Sequence, residues 1–154
     1  MAAGAFIIPD LAKLNLFNAT GLLAANTANF RLALVTSAWA PNNGTDELWA
    51  VASGSELANG NGYTTGGLVL TGVVLSQSGG TVKFTCNADQ WVASGGSIPA
   101  WRRGVLYYLG TLNGKVNPLV AHFLGDATNI DVPATTAGNS LTFVPNAAGI
   151  LTAT

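Results

Sequence analysis

Glycine and its turn partners cut this chain into pieces too short for much besides strands and tight turns. Nineteen glycines stand among 154 residues. Asn-Gly, Gly-Gly and Ser-Gly steps recur along the whole length, and such dipeptides close tight turns between strands. Between them, apolar and polar residues tend to alternate. In Thr81 to Asn87, Val82, Phe84 and Cys86 fall on one side of a two-residue period, with Thr81, Lys83, Thr85 and Asn87 on the other. That pattern predicts a half-buried strand with Cys86 facing inward. Leu68 to Leu75, rich in leucine and β-branched residues, is its predicted hairpin partner through Ser76-Gln77-Ser78-Gly79-Gly80. Further strands are expected at Phe30 to Thr36, Arg103 to Leu109, Leu119 to Leu124, Leu141 to Val144 and Ile150 to Thr152.

Strands at this spacing, with no helical pattern between them, do not build βαβ units. The expected fold is all-β: an antiparallel sandwich or jelly-roll-like barrel with one or two short helices and an extended apolar N-terminal arm. Asp10 is placed to cap a turn or two in which Leu11, Leu14 and Phe17 share a face. Thr45 is placed to cap Asp46 to Val51, whose acidic start suits the helix dipole. The expected organisation is an arm and short helix over residues 1–28 and a single β-rich domain over 29–154, within which Thr128 to Asn139 reads as an exposed loop. A chain of this length buries about two-thirds of its unfolded surface.

Charge narrows the function. Charged residues are 8% of the chain and hydrophobic ones 49%, where an ordinary domain is about 25% charged. A net charge of -1 gives little repulsion between copies, so much of the surface is expected to be hidden against neighbours. Six basic residues, with Arg102-Arg103 the one doublet, do not make a nucleic-acid groove. Gly, Asn, Thr and Ser interrupt every apolar stretch well short of the roughly 20 residues that span a membrane, and no membrane partner is expected. Met1 to Pro9 lacks the basic leader of a secretory signal. Cys86 is the only cysteine, which excludes an intrachain disulfide and a cysteine zinc cage. Both features suit synthesis in a reducing cytoplasm.

Residues that carry chemistry are few. His122, the only histidine, sits in the predicted strand Leu119 to Leu124, on a face with Val120 and Leu124. It reads as a half-buried or interfacial side chain with a satisfied ring nitrogen. No Gly-x-Ser-x-Gly elbow offers a nucleophile. Nearly all of the acids Asp10, Asp46, Glu47, Glu56, Asp89, Asp126 and Asp131 fall in expected turns or helix starts, where carboxylates cap backbone N–H groups. Asp126 and Asp131 flank a loop, but their spacing matches no calcium loop. Gly60-Asn61-Gly62 and Gly66-Gly67 lack the Lys-Ser/Thr ending of a phosphate cradle and read as turns. No catalytic, metal-binding or cofactor-binding residue is expected.

Interface chemistry is better represented. Trp91 reads as core, Trp39 and Trp49 as parts of an insertion between strands, and Trp101 as the start of Trp101-Arg102-Arg103, an indole beside cations. Phe6, Ile7 and Ile8 of the leader need cover. They form either a first strand of this domain's sheet or an arm that crosses to another subunit. The expected protein interface is Phe6, Ile7, Ile8, Trp39, Trp49, Trp101, Arg102 and Arg103.

Several phrases taken in order carry a resemblance: Leu32-Ala33-Leu34-Val35-Thr36-Ser37, Gly62-Tyr63-Thr64-Thr65-Gly66-Gly67 with Leu70-Thr71-Gly72-Val73, and Trp91 to Ala100. Arg103-Gly104-Val105-Leu106-Tyr107-Tyr108 and Asn146 to Thr152 complete it. From about Asn29 onward the chain resembles small virion proteins of tailed bacteriophages. The resemblance implies a β-rich structural protein, made in the bacterial host cytoplasm, that decorates or cements the capsid surface. The major capsid protein would be its partner and a dimer or trimer its working state. A reading from another class is a receptor- or carbohydrate-binding module of a head or tail fibre, its tryptophans stacking on sugars.

Overall fold

The computed structural model describes residues 2–17 and 29–153. In chain order the elements are α1 (Asp10–Phe17), β1 (Phe30–Val35), α2 (Ala50–Ser53), β2 (Leu68–Val69), β3 (Val74–Ser78) and β4 (Thr81–Thr85). There follow β5 (Asp89–Val92), β6 (Arg103–Tyr108), β7 (Thr111–Leu112), β8 (Lys115–Val116), β9 (Leu119–Leu124), β10 (Ser140–Phe143) and β11 (Leu151–Ala153). The fold is all-β and sandwich-like. A main sheet ordered β2-β1-β6-β9 is accompanied by a β10-β5 ribbon, a β11-β4-β3 sheet and a β7-β8 hairpin, with every pairing antiparallel.

The near-continuous apolar runs of β1 and β6 have a simple cause: both faces of the main sheet are covered. Phe30, Leu32 and Leu34 project into the larger core with Leu106 and Tyr108, where Phe30 meets Phe84 of β4 at a ring separation of 5.0 Å. Ala33 and Val35 project the other way with Val105 and Tyr107, under a cap built from residues 36–57. Trp49 of that cap stacks on Tyr107 with ring centroids 4.7 Å apart and planes 4° from parallel.

The Leu68 to Leu75 run is not one strand. It breaks over Leu70 to Val73, so that β2 pairs with β1 in the main sheet while β3 pairs with β4 in another. Gly72 makes the corner at φ 56°, where a Cβ would lie 2.5 Å from the Asn87 side chain. Thr71 is held there by Asp89, which accepts from its N–H at 2.9 Å and its hydroxyl at 2.8 Å. The expected hairpin forms with a tighter turn than expected, Ser78 opposite Thr81 and Gly79-Gly80 both at positive φ. Phe84 and Cys86 are in the core and Val82 is half-buried.

Other expectations shift. α1 forms over Asp10–Phe17 with Ala12 buried, Leu11 half-buried and Leu14 exposed; the Phe17 side chain lies outside the described residues. No helix starts at Thr45. Asp46 accepts from the Asn42 N–H, Leu48 bridges Pro118 in extended conformation, and α2 starts only at Ala50. Strand β5 and the β7-β8 hairpin, turned by Asn113-Gly114 at positive φ, were not anticipated. Residues 2–9 run along the outer edge of β9. Gly4 N–H donates to Leu124 O at 2.8 Å, and Ile7 exchanges bonds of 2.7 and 2.9 Å with His122. Among the described residues no helix is long and apolar enough to cross a membrane.

Candidate functional site

All seven carboxylates are bonded within the chain. Asp10 pairs with Lys13, Glu47 with Lys115 and Asp131 with Arg102. Asp46 accepts from Asn42, Asp89 from Thr71, and Asp126 from the Thr128 N–H and hydroxyl, bonds that hold its carboxyl below the usual range. Asp126 and Asp131 therefore serve separate parts of their loop. Among the described residues no group of three His, Cys, Asp or Glu side chains converges on a metal position.

Glu56 links two separate residues. Its Oε1 accepts from the Tyr63 hydroxyl at 2.7 Å and from Gly66 N–H at 2.7 Å, while the Tyr63 oxygen accepts from Leu34 N–H at 3.0 Å. Tyr107 donates to Gly66 O at 2.7 Å. Glu56, the cap's penultimate residue, thus ties the turn over residues 60–67 to the main sheet. Burial and the nearby carboxylate push both phenols up, Tyr107 to about 12, so they act as fixed donors.

His122 is 1% exposed, not half-buried. A β-bulge is the reason. Leu106 faces Ala121 while Tyr107 faces Leu119, which leaves Val120 as the extra residue. Val120 turns into the sandwich core, and His122, opposite Val105, turns beneath the cap instead of sharing Val120's face. Its Nε2 lies 2.8 Å from Asn43 Oδ1 and its ring meets Trp39 edge-on at 5.5 Å. Nδ1 has no partner. Burial, with Arg103 nearby, lowers its pKa to about 4. Its backbone holds the arm at Ile7 while its side chain holds the cap at Asn43, so one residue joins three parts of the fold.

The expected interface residues do not form one surface. Trp39 and Trp49 are buried between cap and main sheet, and Trp101 is buried against Phe123 and Val132 on the opposite side. The three indoles pack inside this chain. Arg102 donates from Nε to Asp131 at 2.6 Å and from Nη1 to Asn129 O at 2.6 Å. Arg103 is half-buried with Nε unpartnered. Phe6 enters the sandwich core, 4.7 Å from the Phe123 ring, Ile8 is half-buried and Ile7 is exposed. The arm completes this chain's own sheet.

What sequence reasoning missed is a cleft beside the arm. It occupies about 840 Å3 between the main sheet, the β5-β10 ribbon and the approach to β11, lined by Phe6, Trp91, Trp101, Phe123, Leu141 and Ile150 among others. No sequence signal marks it, because its walls come from segments far apart in the chain. Comparison with family models, curated proteins and solved structures gives no match.

Proposed function

We propose that this chain is a structural virion protein of a tailed bacteriophage that binds and stabilises the capsid shell. Its partner is the major capsid protein and its working state a dimer or trimer. The observation that carries this reading is that all seven carboxylates are already bonded within the fold. The surface that remains is poor in free charge and carries exposed apolar side chains, including Val74 and Leu75 of the edge strand β3. Such a surface favours cover by other protein. Binding to the assembled lattice alone stabilises that lattice by mass action, and a subunit touching two shell proteins gains effective concentration for the second contact.

The test is the number of copies in purified particles, with the heat resistance of particles lacking the protein. A copy number matching the shell lattice, and earlier rupture without the protein, is the expected result. A handful of copies per particle, with unchanged rupture, would instead place the chain on a fibre.

A further inference from the structure

The arm is held lightly. Ala3, Ala5 and Ile7 are exposed, Phe6 and Ile8 are half-buried, and the cap turn over residues 42–45 is exposed as well. Segments with so few buried apolar contacts open locally at a smaller cost than core strands. Both segments are fastened at one place. Asn43 O accepts from the N–H of Asp10, the first residue of α1, at 2.9 Å, and Asn43 Oδ1 holds the His122 ring at 2.8 Å. The His122 backbone exchanges its two bonds with Ile7.

That fastening suits only a neutral ring. With Asn43 Oδ1 as acceptor, the proton of neutral His122 sits on Nε2. A second proton has to go to Nδ1, which is buried without a partner, and a buried, unpaired donor on a charged ring is costly. Two charged groups act on the ring: Arg103 of β6 opposes the added charge, and Asp46 of the cap favours it with the smaller effect. Residues 2–9 carry no ionisable side chain, and Asp10 at their end is paired with Lys13. The cost of protonation is relieved when the ring reaches water, and for that the Asn43 turn has to lift.

We propose that His122 is an acid-sensitive clasp: on taking up a proton it releases the cap turn and the N-terminal arm together, while the rest of the sandwich stays folded. Release bares the outer edge of β9. This inference does not rest on shell binding.

Amide hydrogen exchange of the full chain, read residue by residue by NMR, tests it. The N–H groups of Gly4, Ile7 and Asp10, all bonded across the clasp, are expected to share one protection factor, lower than that of the β1 and β6 amides. From pH 7 to pH 5 that factor is expected to fall at least about tenfold beyond the intrinsic change in exchange rate, because the freed ring titrates near 6.5 and the clasped one near 4. In His122→Gln, which takes up no proton, arm protection is expected to be the same at both pH values. Asn43→Asp sets a carboxylate against Nε2, so the clasped ring accepts the proton and the loss is expected to shrink below about threefold. Arm amides as well protected as those of β6 would overturn the proposal, since the arm would then open only with the whole fold. So would arm protection that ignores pH in the wild type, or a tenfold loss that persists in His122→Gln. Should that variant fail to fold, an undiminished loss in Asn43→Asp would overturn it alone.

Discussion

The two faces of the main sheet are covered in different ways. Residues 36–57 follow directly on β1 and fold back over the strand they have just left, so the cap is contiguous in sequence. The cover on the other face is assembled from β5, β10, the approach to β11 and the arm, segments drawn from across the whole chain. The contiguous cover closes down to a stacked Trp49–Tyr107 pair, while the assembled one leaves a cleft. A single segment can shift along the face until it packs. Strands fixed by hydrogen bonds elsewhere hold their spacing and cannot collapse into a gap.

The difference can be broken by truncation on each side. Trp49→Ala is expected to cost about 3–5 kcal/mol in urea unfolding, because the stack leaves no slack to relax into. The cap side also holds the buried histidine. Above about pH 6.5 His122 is neutral whether the chain is folded or unfolded, and it adds no pH dependence. As pH falls from 6.5 toward 4, the unfolded chain takes up a proton that the folded one refuses. Stability is expected to fall across that window by roughly 1–3 kcal/mol in total, and His122→Gln should flatten that part of the profile. Leu141→Ala, bordering space that already exists, is expected to cost only about 1–2 kcal/mol. A loss equal to that of Trp49→Ala would mean that both faces are packed alike. Smallest is Val74→Lys with Leu75→Lys on the β3 edge, which belongs to neither cover. A stability change within about 0.5 kcal/mol is expected, and the proposed shell-binding role predicts weaker cosedimentation with phage heads.

The legible parts of this fold are local. Alternation marked β4, and apolar runs located β1, β6 and β9, within a residue or two of their ends. Asn113-Gly114 had the chemistry of a hairpin turn but lies between strands of two residues each, too short to show a period. The corner at Gly72 was hidden because the residues on both sides favour strands, and only the pairing partners reveal that the sheet changes. His122 was placed on the wrong face by one bulge residue, since an added residue reverses every side chain beyond it. Trp91 was placed in the core, where it lies, and Trp39 and Trp49 in the insertion after β1, but the burial of Trp39, Trp49 and Trp101 was not foreseen. Whether an indole packs inward depends on which distant strand lies opposite, and that is not written in the neighbouring residues.

The arm's position has a consequence for synthesis. Residues 2–9 leave the ribosome long before Leu119–Leu124, the strand whose outer edge they shield. Through that interval Phe6, Ile7 and Ile8 have no seat in this chain, and the main sheet, once β9 joins, exposes an unpaired border until they arrive. A neighbouring nascent copy offers the same seat, so crowding on a polysome favours exchange of N-termini between chains, and dilution favours each chain closing on itself.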